Sequence, residues 1–239
     1  MSTFTPWSTS AVNLGEHANN PVHTDAGGKA AGFAGAIVAG TTIYAYMTHP
    51  VVATWGTDWL ANGGGELRLR RPVLDQDTVD CVDGSAAGPT IEARVDDELK
   101  ATLALWPGVS PDASPWPRPG LATFPSFELD LVEPVFDYGI RAGDDLGLYA
   151  TDGVAHPVIW LNLANRVFTE NLVDGSWVHV RSLFQHHGLG HRGQRLKVEP
   201  RLIRRFDSRA GERAIVDINI SADGQPVVSI EHEAIISVA

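Results

Sequence analysis

The longest apolar run, AAGFAGAIVAGTTIYAYM from Ala30 to Met47, carries Ile37, Val38, Ile43, Tyr44 and Met47 with almost no polar face. A helix apolar nearly all round is buried on most sides, so a core helix is predicted here. Past Gly63, Gly64 and Gly65 the period changes. In ELRLRRPV, Leu67 and Leu69 alternate with Glu66, Arg68 and Arg70, the period of a half-buried strand. VLDQDTVDCV, GPTIEARV and ELKATLALW read as further strands. The second half repeats that order. A helix is expected over HPVIWLNLANRVFTENLV, where Ile159, Trp160, Leu163, Val167 and Phe168 oppose a narrow polar stripe of Asn162, Asn165, Arg166 and Thr169. Strands follow in SWVHVRSLFQ, QRLKVEPRLIRRF, RAIVDINIS and QPVVSIEHEAIISV, with a hairpin signal at Asp223-Gly224.

Between the two patterns lies PGVSPDASPWPRPGLATFP, from Pro107 to Pro125. Proline fixes φ and lacks a donor, so this run favours an extended connector. The expected organisation is one unit over 1–106, a linker over 107–126 and a second unit over 127–239. One apolar helix followed by several strands suggests an antiparallel sheet curled around the helix, an α+β arrangement that two linked copies would complete by covering each other. Two independent α+β domains are the alternative.

Composition narrows the function. With 44% apolar and 20% charged residues the chain can bury a core. A net charge of −11 argues against nucleic acid and against an anionic membrane surface, but leaves room for a phosphorylated ligand held by a local basic patch. A single cysteine, Cys81, cannot form an internal disulfide. The opening MSTFTPWSTSAVNLGEH lacks a signal-peptide pattern and no run is long enough to span a membrane, so a cytoplasmic location is expected.

The stretch beginning at Asn19, NNPVHTDAGGKAAGFAGAIVAGTTIY, combines an Asn-Pro-Val-His step with a small-residue-rich approach to the predicted helix. It resembles the MaoC-like R-specific enoyl-CoA hydratases, whose motif is Asp-x-Asn-Pro-x-His ahead of such a helix. The resemblance implies a double hotdog fold, an acyl-thioester substrate carried on CoA or a carrier protein, and hydro-lyase chemistry. Asn20, Pro21 and His23 match, whereas the motif's aspartate falls on Ala18. A methyl group transfers no proton. Glu16 could supply the carboxylate from a loop of altered length, Asp25 or Glu170 could supply it instead, or the site has kept acyl binding and lost hydration.

Hydration needs a base for water and an acid for the α-carbon, and a neutral imidazole suits one of these roles. His23 is the expected acid/base, with Asn20 orienting it; a loop histidine capping a helix start is the bland alternative. Backbone donors at the helix N-terminus could hold the thioester oxygen. Gly32 and Gly35 would allow close approach to the backbone, with Gly40 lining the acyl pocket.

Six of the nine histidines lie in the second half: His156, His179, His186, His187, His191 and His232. None shows a paired helical spacing beside a glutamate, and no metal is expected. Strand alternation in WVHVRS puts His179 with Trp177 and Arg181, opposite Val178, Val180 and Ser182; a role for His179 with Ser182 or Glu170 is a second catalytic candidate. Arg204 and Arg205, with Arg201 and the group Arg68, Arg70 and Arg71, could hold coenzyme A or phosphopantetheine phosphates, or simply form a solvated strand face. Neither a phosphate-binding glycine loop nor a Gly-x-Ser-x-Gly elbow occurs, and no cofactor is expected. Thioester hydrolysis and acyl binding without turnover are the rival functions. A monomer or a homodimer of double hotdogs is expected.

Overall fold

A computed structural model describes residues 4–84, 88–109 and 118–238. The first half contributes β1 (Trp7–Ser10), a loop with the short helix α1 (Asp25–Ala30), the long helix α2 (Gly40–Asn62), and β2 (Gly64–Leu69), β3 (Thr78–Asp83), β4 (Thr90–Val95) and β5 (Glu98–Trp106). The second half contributes β6 (Ala122–Thr123), β7 (Phe127–Asp130), the one-turn helices α3 (Tyr138–Arg141) and α4 (Leu148–Thr151), and α5 (Val158–Asn171). It ends with β8 (Val178–His186), β9 (Arg195–Ser208), β10 (Gly211–Ala222) and β11 (Gln225–Val238).

All of these strands join one antiparallel sheet in the order β1-β3-β4-β5-β2-β8-β11-β10-β9-β6, with β7 also on β9. Reading outward from the central pair shows the repeat. β2, β5, β4, β3 and β1 run to one edge; β8, β11, β10, β9 and β7 run to the other in the same sequence of connections. The halves meet where β2 pairs with β8, from Gly64 opposite Gln185 to Arg68 opposite Arg181. Each helix follows its lead-in segment and leads into the central strand of its half. α2 packs on strands of its own half and on β8, while α5 packs on β11 and touches α2. Tyr44, Tyr46, Met47, Trp59, Phe168 and Phe184 are among the side chains sealed in this core.

The predicted first helix needs correction at both ends. It starts at Gly40, not near Ala30, because residues 32–39 spend their backbone groups elsewhere. Gly32 takes φ +84°, Ile37 N–H bonds to the Val22 carbonyl (3.1 Å), and Val38 N–H bonds to the Val73 carbonyl (2.8 Å). The helix then runs past Met47 and through Pro50. A kink at Gly56, whose φ of +62° suits a residue without Cβ, precedes its end at Asn62.

Residues 110–117 of the proline-rich connector lie outside the described residues. Its later part lies against the second half, where Ala122 and Thr123 pair with Leu202 and Arg201 of β9. Arg118 there engages Asp217, whose carboxylate is buried, and also Glu231 at 2.6 Å. Among the described residues no helix is long and apolar enough to cross a membrane.

Candidate active site

The loop after β1 is fixed by short-range hydrogen bonds. Asn20 caps the turn Pro21–His23, and Thr24 caps α1 by accepting from Gly27 N–H at 3.1 Å. Proline suits the first position of that turn because the donor it lacks would have been an orphan. Asn20 also reaches the other half. Its Nδ2 donates to the Trp177 carbonyl at 2.9 Å, and its Oδ1 accepts from Trp177 N–H at 3.4 Å. One buried side chain thereby ties the first-half loop to the start of β8, two residues from His179.

His23 Nδ1 donates to the Ile37 carbonyl at 2.7 Å. A carbonyl can only accept, so Nδ1 carries the proton and Nε2 of the neutral ring is bare. Burial lowers the His23 pKa, against the pull of the Ile37 bond. The neighbouring His17 ring lies 5.5 Å away, and its Nε2 is 2.7 Å from the Tyr138 hydroxyl, itself 2.6 Å from Thr42 Oγ1. Burial, with His23 adding to it, drives His17 down to about 4.

Across the site, the structure corrects the predicted facing of β8. Glu233 of β11 pairs with Arg181 and Ala234 pairs with His179, which leaves Val180 as an extra, bulged residue. A bulge shifts the side-chain phase of a strand, so His179 and Ser182 share the interior face, with Nε2 to Oγ 2.8 Å. Ser182 Oγ lies 2.8 Å from His232 Nδ1, and His232 Nε2 lies 3.0 Å from Asn165 Oδ1 on α5. The two imidazoles stack at 4.1 Å. Burial takes His179 to about 3 although the Arg181 backbone opposes it, and burial followed by His179 takes His232 well below the ordinary histidine value.

His23, Asn20, Asn165, Trp177 and His179 line one cavity of about 360 Å³, walled otherwise largely by apolar side chains such as Phe33, Ile37 and Ile43. His179 Nδ1 and Trp177 Nε1 are buried there without a hydrogen-bond partner. The N-terminus of α2 forms part of the wall through Ala39 and Gly40. Its first bond to the preceding segment runs from Ile43 N–H to the Ala39 carbonyl (3.2 Å), so the N–H groups of Gly40, Thr41 and Thr42 have no helical acceptor. A Cβ on Gly40 would lie 2.2 Å from Leu69 Cδ1 and 3.1 Å from His179 Nδ1, so glycine is what lets β8 come this close.

Several predicted residues lie elsewhere. Among the described residues, no aspartate or glutamate lines the cavity. Glu16 grips the Arg141 guanidinium with both oxygens, and Asp25 accepts from Ala36 N–H at 3.1 Å. Gly32 and Gly35 sit in the loop before α2, outside the lining. Arg205 pairs with Glu212 at 2.7 Å and Arg204 covers the Phe206 ring at 4.5 Å, both away from the cavity. The cations at the lining are Arg70, Arg71 and Arg213. His49, Asp144 and Asp145 hold potential ligand atoms within 4.8 Å of one another, but none of them lines the cavity, and His156 already engages Asp144 at 3.2 Å.

No family model and no curated protein matches this sequence. Solved structures do. A Mycobacterium tuberculosis protein whose structure is a double hotdog superposes with a TM-score of 0.65 at 13% identity, over 98% of this chain and 96% of that one. The chain has the double hotdog fold. A MaoC-like dehydratase matches it with a TM-score of 0.61 at 12% identity, over 98% of both chains. A Lactobacillus plantarum protein named as an oleoyl thioesterase matches with 0.60 at 9%, over 98% of this chain and 96% of that one. At such identities the likeness carries the fold, and function has to be argued from the site. In this double hotdog the site is a joint product: the first half supplies the loop and helix end, the second supplies β8 and Asn165.

Proposed function

We propose that this double hotdog is a hydro-lyase that adds or removes water at an enoyl or 3-hydroxyacyl thioester. The observation that carries the reading is the pair of neutral imidazoles, His23 and His179, lining one cavity beside the unspent donors of α2. Hydration leaves the thioester bond intact and needs no external electron carrier. The thioester oxygen, accepting from the N–H groups at the start of α2, would be stabilised as the enolate develops. A water molecule has two hydrogens to donate; the bare Nε2 of His23 is one acceptor for it, and Nδ1 of His179, packed against Gly40 in the wall, would be the second if water reaches it. His23 takes a proton from the water as its oxygen bonds to C3. The same proton then passes from His23 to C2, so atoms and charge balance without a carboxylate. Asn20 keeps the two imidazoles in register by clamping Trp177. Arg70, Arg71 and Arg213 at the lining suit the phosphates of a CoA or phosphopantetheine carrier.

The test is hydration of a panel of trans-2-enoyl-CoA thioesters, followed by loss of the enoyl absorbance, with free thiol measured in parallel. Water addition without thiol release is expected, and His23→Ala should lower kcat/KM by about 10²- to 10⁴-fold. Thiol release would reassign the chain to thioester hydrolysis. Saturable acyl-CoA binding with no turnover would leave an acyl-binding protein, the reading that Ala18 and the carboxylate-free lining favour.

A further inference from the structure

The cavity imidazole of the second half does not stand alone. His179, Ser182, His232 and Asn165 form an unbroken chain from β8 through β11 to α5, with links of 2.8, 2.8 and 3.0 Å; its first three members are buried and Asn165 is half-buried. Only its first and last members, His179 and Asn165, line the cavity. Such a chain has one degree of freedom. Each hydroxyl or neutral imidazole can donate once along it, so fixing the direction of one bond fixes all the others.

The Asn165 end sets that direction. Its Oδ1 can only accept, so His232 Nε2 carries the hydrogen and His232 Nδ1 is an acceptor. Ser182 then donates to His232 Nδ1 and accepts from His179 Nε2–H. His179 is left with a bare Nδ1, the atom that is buried without a partner next to Gly40. A second proton on either ring is disfavoured by the burial of both, and at His232 also by His179 stacked 4.1 Å away. We infer that Ser182, His232 and Asn165 are positioning residues that lock His179 in the Nε2–H tautomer, so that its Nδ1, packed against Gly40 in the cavity wall, is a hydrogen-bond acceptor.

This inference rests on the hydro-lyase reading for its consequence, the orientation of a reacting water, but not for its test. The wild-type chain and Ser182→Ala, which removes one buried oxygen and no carbon, are labelled with ¹⁵N-histidine and their ring tautomers are read by long-range ¹H–¹⁵N correlation at neutral pH. In the wild type, His179 and His232 should both be Nε2–H and His23 the opposite tautomer, Nδ1–H. In Ser182→Ala, His179 should acquire a substantial Nδ1–H population while His23 stays as it was. A wild-type His179 that is Nδ1–H or charged overturns the inference, as does an unchanged His179 in Ser182→Ala.

Turnover gives a second arm. With an enoyl-CoA that the wild type hydrates, Ser182→Ala should lower kcat about 10-fold or more with KM within twofold, and Ser182→Thr should recover both the tautomer and kcat. A tautomer change in a chain that hydrates nothing would keep the lock and discard the hydro-lyase reading. An unchanged tautomer in an active hydratase would do the reverse.

Discussion

The two long helices occupy equivalent places in a repeated topology, yet their N-termini are chemically opposite. At α5 every early donor is consumed. Pro157 has none, Val158 N–H donates to His156 Nδ1 at 3.1 Å, and Ile159 and Trp160 N–H reach the carbonyls of His156 and Pro157. His156 Nε2 in turn donates to the buried Asp144, Tyr149 leans on its ring at 4.5 Å, and Gly139 packs so close that a Cβ would lie 2.2 Å from it. At α2 the corresponding donors are unspent and the helix opens on a cavity with an imidazole on either flank. The α5 end has an imidazole–carboxylate pair and no access; the α2 end has access and an imidazole from each half but no carboxylate. The repeated topology provides two helix ends, and the side chains just before each helix set which one is open.

The largest expected difference is in acid. His17, His23, His179 and His232 surround the open end and are all held below the ordinary histidine value, His17 to about 4 and His179 to about 3. Their unfolded counterparts titrate near 6.5, so below that pH the unfolded chain binds protons that the folded chain refuses. The stability tied to these groups is complete above about pH 6.5 and is lost as pH falls toward their folded values. Each such group contributes a slope of up to about 1.4 kcal/mol per pH unit. Urea midpoints measured between pH 7 and pH 5, above the range where most carboxylates titrate, should fall steadily. A flat profile over that window would mean that these rings ionise in the fold.

The closed end predicts the next largest effect. His156→Ala strands the Val158 N–H and removes one of the two donors on the buried Asp144 carboxylate, leaving Leu146 N–H, at a cost of about 2–3 kcal/mol. Chemical denaturation should show that loss while kcat stays within twofold of wild type. A loss of catalysis with little loss of stability would contradict the assignment of this end as structural. Gly40→Ala is the converse experiment. Its methyl meets the mobile tip of Leu69 and crowds His179 Nδ1, so kcat should drop about 10-fold or more for about 1 kcal/mol of stability. Unchanged turnover would show that the α2 end is not where the thioester sits.

What the sequence made legible follows the same division. Apolar periods exposed both helices, the strands and their repetition, because those periods report burial directly. They could not mark where α2 begins: Ile37, Val38 and Ala39 are buried as an extended segment, and buried extended and buried helical residues look alike in composition. Asn20 and His23 stood out through the resemblance of Asn-Pro-Val-His to a known motif, whose short spacing a local turn holds. The partnership of His179 with Ser182 was named as a candidate, but simple alternation put them on opposite faces. The Val180 bulge that reunites them is a property of pairing with β11. His232 left one usable trace, a histidine at an inward position between Ile230 and Ala234 in a strand that otherwise buries apolar residues there.

The smallest expected effect concerns the carboxylate that the motif lacks. Glu16 lies two residues before Ala18 and is the nearest acid to the expected position in the chain, yet both of its oxygens are taken by Arg141, at 3.0 Å for Oε1. The pair is partly exposed, so neutralising it should cost less than about 1 kcal/mol. Glu16→Gln should therefore leave both the unfolding midpoint and kcat close to wild type. A 10-fold fall in kcat at unchanged stability would mean that Glu16 leaves Arg141 and turns to His23 when substrate binds. The motif would then be complete with altered spacing, and the two-imidazole site would have to be reread as an imidazole–carboxylate site, the same pairing of groups that His156 and Asp144 make in the other half.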